Sequence, residues 1–122
     1  MKICVLGAGA WGTALAIHLA KLHPTTLWAR NSGHVSGMKK AQSNPLYLGD
    51  FKFPSLLEIS DDFNATLLDI DLIVCAVPTS GFREILKSIN EINQSAPVIW
   101  ANKGLEQDSA KLPHEIAIEE LG

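Results

Sequence analysis

A short glycine pattern near the N-terminus constrains this chain more than any other feature. Gly7, Gly9 and Gly12 form the pattern G-x-G-x-x-G. The run from Ile3 to Leu6 precedes it and is apolar throughout, as in a strand buried on both faces. A proline-free stretch rich in alanine and leucine follows from Ala10 to about Leu22 and favours a helix. A strand, a glycine turn and a helix in this order predict a βαβ unit that binds a dinucleotide.

The three glycines have separate physical tasks in such a turn. Gly7 permits the tight turn, Gly9 lets a pyrophosphate approach the backbone, and Gly12 lets the helix pack closely on the strand. The start of the helix, with Ala10 in its first turn, offers unpaired N–H groups and partial positive charge to phosphates. We therefore expect the phosphates of a cofactor to bind here. A glycine-rich turn in an α/β domain without a ligand is the alternative.

Strand and helix patterns alternate along the rest of the chain. Further strands are predicted over four segments, of which the last two have the composition of buried strands: Thr25–Ala29, Leu56–Ile59, Leu72–Val77 and Pro97–Ala101. Further helices are predicted over 32–42, 62–68, 80–92 and from about 110 onward. The segment 43–54, with two prolines, a glycine and no clear period, predicts a loop. Because βα alternation makes strands parallel, we expect one domain over 1–122: a doubly wound, mainly parallel Rossmann sheet with helices on both faces.

Charge and cysteine content narrow the class of protein. Ten Lys and Arg against thirteen Asp and Glu give a net charge of −3, which argues against nucleic acid as a partner. Cys4 and Cys75 lie in apolar runs and suit buried thiols in a reducing compartment, so we expect a cytoplasmic protein without a membrane span. The uncharged stretch from Ile3 to Ala20 also permits a signal peptide, but its glycines would weaken the helix that a signal peptide forms.

The end of the second predicted strand indicates which cofactor is preferred. NAD-specific domains carry an Asp or Glu there that binds the ribose 2′-OH. This chain has no carboxylate there, but instead Arg30 followed by Asn31 and Ser32. A guanidinium can hold a 2′-phosphate with paired hydrogen bonds, and Asn31 and Ser32 can add donors. We expect NADPH to be preferred, with NADH also usable. In the alternative, Arg30 is solvated or stacks on adenine without selecting the cofactor.

Four segments together resemble NAD(P)-dependent glycerol-3-phosphate dehydrogenase of the bacterial type. They are GAGAWGTA (7–14), LWAR (27–30), VPTSGFR (77–83) and ANKGLE (101–106). The resemblance spans the whole chain and keeps the family's order and spacing. It implies reduction of dihydroxyacetone phosphate to sn-glycerol 3-phosphate, a precursor of phospholipids.

The resemblance also assigns roles to individual residues. It implies that Trp11 and Arg30 contact the cofactor, that Lys103 contacts both cofactor and substrate, and that the loop bearing Tyr47 adds a cofactor contact. From the residues alone, Trp11 is expected to pack beneath the sheet. Lys103 follows a predicted strand at the ligand-binding edge, although a solvated loop lysine fits there equally well. Pro78 ends a strand at the same edge, near the expected nicotinamide path, or serves only to end that strand.

The family's proton-donating lysine belongs to a helical domain that nothing in this chain matches. We therefore expect residues 1–122 to be an N-terminal domain without catalytic residues and inactive alone, with self-association, for example as a homodimer, left open. A reductase acting on another small ketone, such as ketopantoate reductase, is an alternative. A non-catalytic NAD(P)H-sensing module is another. Nothing pairs the four histidines, His34 included, as a metal site or a general base, so they are expected to be structural or solvated.

Overall fold

The computed structural model describes residues 1–100 and 113–121, with side chains from 115 onward in the second range. The described strands form one parallel sheet: β1 (Ile3–Leu6), β2 (Thr25–Trp28), β3 (Leu57–Ser60), β4 (Leu72–Cys75) and β5 (Val98–Trp100). The helices are α1 (Ala10–Leu19), α2 (Ser32–Ala41), α3 (Pro45–Leu48), α4 (Phe63–Leu67), α5 (Thr79–Ile92) and α6 (Pro113–Leu121). The predicted βα alternation is confirmed, while most predicted ends shift by one to three residues.

Helices cover both faces of the sheet, as the fold class predicts. Ile3 and Val5 of β1 pack with Ala16 of α1 in one core cluster. The intervening residues of β1 face the other way and pack with Phe82 of α5 in a second cluster. Because successive side chains of a strand point to opposite faces, a strand that is apolar at every position must be buried on both. The doubly wound class is confirmed.

The strand order, β3-β2-β1-β4-β5, places β1 at the centre of the sheet. The chain moves outward from β1 through β2 to β3 and then returns to β4 on the other side of β1. Connections at the carboxyl ends of β1 and β4 therefore lead away from each other and leave a crevice between them. Ligands of open α/β sheets bind at such a point.

The prediction that 43–54 is an irregular loop is wrong in one part. Pro45 to Leu48 form the short helix α3, and an antiparallel bridge joins Ser43 to Lys52. Proline suits the first position of a helix because its φ is already helical and its missing N–H would have no partner there. Asn44, which precedes α3, is fully buried, so tertiary contacts order the segment.

The prediction that the last strand is buried is also wrong. Ile99 is 54% exposed, and its neighbours in β5 are half-buried. β5 lies at the edge of the described sheet and pairs with β4. An apolar run predicts a strand, but it does not reveal whether another element covers it.

Helices α5 and α6 pack on each other. The apolar face predicted for α5 is confirmed, because these four residues are all buried: Phe82, Ile85, Leu86 and Ile89. Ile116 of α6 joins the same core. At the rim of this contact, Nη1 of Arg83 lies 2.7 Å from Oε2 of Glu119 and 2.9 Å from Oε1 of Glu120. The arginine thus ties α6 to α5.

Candidate functional site

A cleft of about 820 Å³ opens at the carboxyl ends of β1, β2 and β4. The glycine turn, the segment after β2 and the start of α5 form its walls. Its lining includes seven of the residues that sequence reasoning singled out: Gly7, Gly9, Trp11, Arg30, Asn31, Tyr47 and Pro78. The volume lies within the range of cofactor and small-molecule sites.

A second hollow, of about 350 Å³, lies at the opposite edge of the sheet. Its lining includes Lys2, Thr25 and Glu58, near the amino ends of β1, β2 and β3. It contains neither a glycine turn nor the N-terminus of a crossover helix. The larger cleft is therefore the candidate site.

The glycine turn is closely packed at its two ends and open in the middle. Gly7 has φ +108°, and a β-carbon there would lie 2.8 Å from the carbonyl oxygen of Ala76. A β-carbon at Gly12 would overlap the carbonyl oxygen of Gly7. A β-carbon at Gly9, in contrast, would meet nothing within 4 Å. Gly7 and Gly12 thus let the turn form, whereas Gly9 leaves space beside the backbone for a ligand.

The start of α1 has no side-chain cap. Gly9 is its N-cap residue, and no acidic residue lies in the first turn. The hydrogen bond from the N–H of Thr13 to the carbonyl of Gly9, at 3.0 Å, is the first that a helix of this kind can make. The N–H groups of the preceding residues, Ala10 among them, have no partner within the helix. Such a helix end binds anions well.

Trp11 does not pack beneath the sheet, so that expectation from the residues is wrong. Its side chain is 61% exposed and lines the cleft. Gly12, Thr13 and Ala16 are the buried positions of α1. The helical period directs the neighbouring position 11 outward. The position agrees with the cofactor contact that the family resemblance implies.

The segment after β2 brings a cation to the cleft. Arg30 is exposed, and no described carboxylate lies within ion-pair distance of it. Oδ1 of Asn31 accepts a hydrogen bond of 2.9 Å from the N–H of His34 and so caps α2. The side-chain oxygen of Asn31 is therefore engaged, and its amide nitrogen is the group left to donate to a ligand.

The wall below Arg30 is aromatic. Trp28 ends β2, lines the cleft and meets Phe63 edge to face, with 4.9 Å between ring centroids. Its Nε1 is buried and has no hydrogen-bond partner among the described residues. Val77 and Ile85 also line the cleft and belong to the same core cluster as Trp28.

Sequence reasoning missed a buried hydrogen-bond network behind the turn. Nδ2 of Asn44 donates to the carbonyl of Ala8 at 3.0 Å and to Oγ1 of Thr13 at 2.8 Å. Oδ1 of Asn44 lies 3.0 Å from Nε2 of His34. The dipeptide Asn44-Pro45 signals the start of a turn, but nothing local shows that its amide reaches residues 31 and 36 positions away.

The network also fixes the tautomer of His34. The carbonyl of Ala8 can only accept, so the amide nitrogen of Asn44 must face it. Oδ1 then faces the histidine, and Nε2 of His34 must carry the proton. The ring centroid of His34 lies 5.5 Å from that of Tyr47, and both side chains line the cleft. His34 therefore has a structural role, which is one of the two roles expected for the histidines.

Two thiols lie below the cleft but are not reactive groups of it. Burial, with a smaller contribution from Cys75, raises the pKa of Cys4 to about 12. Burial also raises the pKa of Cys75 to about 11, although a hydrogen bond from the backbone of Val77 partly opposes the rise. Both thiols are protonated at neutral pH and serve as core residues.

Lys103, with the rest of the segment 101–106, lies outside the described residues. Within 1–100 and 113–121, no group of three or more His, Cys, Asp or Glu side chains could hold a metal ion. In the same ranges, no helix has the length and apolar character needed to cross a bilayer.

The parallel sheet, the glycine turn and the uncapped helix at the strand switch point define a dinucleotide-binding domain of the dehydrogenase type. The family model described as the N-terminus of NAD-dependent glycerol-3-phosphate dehydrogenase matches residues 2–122. The chain belongs to this family.

Individual relatives agree with the family match. The chain is 52% identical over its whole length to glycerol-3-phosphate dehydrogenase [NAD(P)+] of Methylobacillus flagellatus and 43% identical to that of Aromatoleum aromaticum. It spans 37% of the length of each. The crystal structure of glycerol-3-phosphate dehydrogenase from Coxiella burnetii superposes with a TM-score of 0.92 at 36% identity, covering 99% of this chain and 38% of that one.

Proposed function

We propose that the protein reduces dihydroxyacetone phosphate to sn-glycerol 3-phosphate with NAD(P)H, feeding phospholipid synthesis in the cytoplasm. Residues 1–122 are the dinucleotide-binding domain, and a helical domain outside this chain supplies the proton donor and most substrate contacts. Membership of the family supports this, as do the names of relatives that align over the whole chain. Self-association as a homodimer is part of the proposal.

The observation that carries the proposal is the glycine turn at the switch point. The uncapped N–H groups at the start of α1 suit a pyrophosphate, and the open space beside Gly9 leaves room for it to approach. The nicotinamide ring of the bound cofactor supplies the hydride chemistry. The residues of the cleft hold the cofactor in place, and Ala10 contributes its backbone N–H.

The adenosine end of the cofactor is assigned to the segment after β2. Arg30 has no described carboxylate partner, so its guanidinium is available for a 2′-phosphate. The amide nitrogen of Asn31 adds a donor. Trp11 and Tyr47, which are 61% and 53% exposed, also line the cleft and offer aromatic surface to the cofactor. This arrangement supports a preference for NADPH over NADH.

The nicotinamide end is assigned to the side of the cleft formed by Pro78 and the start of α5. Lys103 is proposed to meet both cofactor and substrate there. A compact ammonium charge suits the phosphate of the substrate or the oxygen on which charge develops during reduction. Loss of turnover in a Lys103→Met variant that still binds NADPH would support this role, and unchanged turnover would exclude it.

The central test measures NADPH oxidation by the full-length protein with dihydroxyacetone phosphate, followed by absorbance of the reduced nicotinamide. We expect the protein to turn over, and to do so faster with NADPH than with NADH when the cofactor concentration is low. Gly9→Ala should fold normally because its β-carbon meets no protein atom, yet bind NADPH at least about tenfold more weakly by obstructing the pyrophosphate. Equal NADPH affinity of wild type and Gly9→Ala would show that the glycine turn does not bind the cofactor.

Two other functions give different results in the same assay. Turnover with ketopantoate but not with dihydroxyacetone phosphate would indicate a reductase of another substrate class. Tight NADPH binding without turnover of either ketone would indicate a sensing module. Residues 1–122 alone are expected to bind cofactor without turnover.

A further inference from the structure

We propose that Asn44 is a positioning residue that aims the backbone N–H of Gly9 into the cleft. This inference rests on the proposed function, because it assumes that the turn binds a pyrophosphate. Asn44 is fully buried and does not line the cleft, so it acts through the backbone rather than by touching the cofactor.

Asn44 sets the direction of a single peptide group in the turn. Nδ2 of Asn44 binds the carbonyl oxygen of Ala8 at 3.0 Å on the inner side of the turn. In a planar trans peptide the C=O and the following N–H point in opposite directions. Holding the Ala8 carbonyl inward therefore directs the Gly9 N–H outward. Gly9 lines the cleft and has open space beside it.

The peptide group between Ala8 and Gly9 needs a restraint from outside the turn. The orientation of the peptide between Ala8 and Gly9 depends on ψ of Ala8 and φ of Gly9, and a glycine backbone rotates at low cost. Without a buried partner, the Ala8 carbonyl would lose its hydrogen bond, and the peptide could turn toward water to regain one. Asn44 supplies the partner that keeps the orientation fixed before the ligand arrives.

The side chain at position 44 has to match three different hydrogen-bonding partners. The residue at position 44 must supply two donors and one acceptor, because the Ala8 carbonyl and Thr13 Oγ1 accept while His34 Nε2 donates. A primary amide meets all three demands within one short side chain. Aspartate of the same shape has no donor, and alanine has neither group. The amide also links the turn and α1 to the start of α2, which are the two parts of the proposed site.

The test compares Asn44→Asp and Asn44→Ala with wild type in the full-length protein. Two ligands are titrated: NADPH, and adenosine 2′-monophosphate, which has the 2′-phosphate but no pyrophosphate. We expect both variants to bind NADPH about tenfold more weakly, as the loss of an aligned hydrogen bond predicts. Binding of adenosine 2′-monophosphate should change by less than about twofold, because Asn44 reaches the α2 side of the cleft only through His34 and makes no hydrogen bond to Arg30.

Asn93→Ala is the matched control. Nδ2 of Asn93 donates to the carbonyl of Leu67 at 2.9 Å, and its Oδ1 accepts from two backbone N–H groups, so the variant loses comparable bonds away from the cleft. It should lower the Tm while leaving NADPH affinity unchanged. Thr13→Val keeps the hydrogen bond between Asn44 and Ala8 and should weaken NADPH binding by less than about threefold.

Each outcome bears on one proposal. Unchanged NADPH affinity in both Asn44 variants would overturn the inference, and so would a parallel loss of both ligands. If neither Asn44 variant folds, a crystal structure of the wild-type protein with bound NADPH tests the inference instead. A phosphate oxygen within hydrogen-bond distance of the Gly9 N–H supports the inference, and a Gly9 N–H turned away from the phosphates overturns it. Failure of wild type to bind NADPH would instead contradict the proposed function.

Discussion

Gly12 faces the carbonyl oxygen of Gly7 so closely that a β-carbon at position 12 would overlap that oxygen. The first turn of α1 therefore lies directly on the backbone of the glycine turn. The atom that a β-carbon at position 12 would meet belongs to the main chain of Gly7. No change of rotamer can therefore make room for a larger residue at position 12. The shape of the proposed phosphate site therefore depends on this close packing.

Gly12→Ala is expected to lower the free energy of unfolding by about 3 kcal/mol or more, since overpacking against backbone forces α1 away from β1. Gly37→Ala is the control, because Gly37 lies within α2 and its β-carbon would meet nothing within 4 Å. It should gain about 0.5–1 kcal/mol from helix propensity. Urea denaturation measures both changes, and similar values for the two variants would contradict the packing argument.

Arg30→Asp should weaken NADPH binding by about 100-fold and NADH binding by only a few-fold, because it removes charge-assisted hydrogen bonds to the 2′-phosphate and adds repulsion. Separate fluorescence titrations with the two cofactors measure this. Lys40→Asp makes the same change of charge near the other end of α2 and should affect both cofactors little. Equal losses of NADPH and NADH in Arg30→Asp would refute the assignment.

Arg83→Met should destabilise the protein by about 1–2 kcal/mol, because it leaves two adjacent, partly buried carboxylates without their shared cation. Lys87→Met, also on α5, removes a more exposed pair with Glu84 at 3.8 Å and should cost less than about 0.5 kcal/mol. Thermal or urea unfolding compares them. Equal effects would show that the Arg83 contacts do not hold α6 on α5.

The two buried thiols predict a loss of stability at alkaline pH. Folding raises the pKa of Cys75 to about 11 and that of Cys4 to about 12, from an ordinary value of 9.0. The stability that each thiol contributes is therefore complete below pH 9.0 and is lost as the pH rises to its pKa in the folded protein. Within that window, the free energy of unfolding should fall by about 1.4 kcal/mol per pH unit for each thiol.

The double variant Cys4→Ala/Cys75→Ala supplies the comparison for this slope. All other ionisable groups are the same in both proteins, so the difference between the two pH profiles isolates the thiols. Parallel profiles of wild type and variant between pH 9 and 11 would show that the thiols are not held protonated by the fold.

Local patterns were sufficient for the framework of the fold. The apolar run at Ile3, the three glycines and the alanine-rich stretch after them each predicted their own element, because strand, turn and helix respond to neighbouring residues. Arg30 and Pro78 were placed in the cleft for a related reason. In a parallel sheet, residues that directly follow strands gather at one edge.

Contacts between distant segments were not accessible in this way. The exposed edge of β5 and the roles of His34 and Asn44 depend on what the rest of the fold places beside them. Asn44 reads locally as a turn residue before proline, yet its amide is buried against Ala8 and Thr13.

The sequence by itself determined the βα order, the parallel sheet and the position of the glycine turn, since periodicity and backbone freedom are properties of short segments. Only the tertiary structure decided which groups hold that turn in one orientation. Hydrogen bonds such as that between Asn44 and Ala8 join residues far apart in the chain, and their partners are selected by packing rather than by sequence spacing.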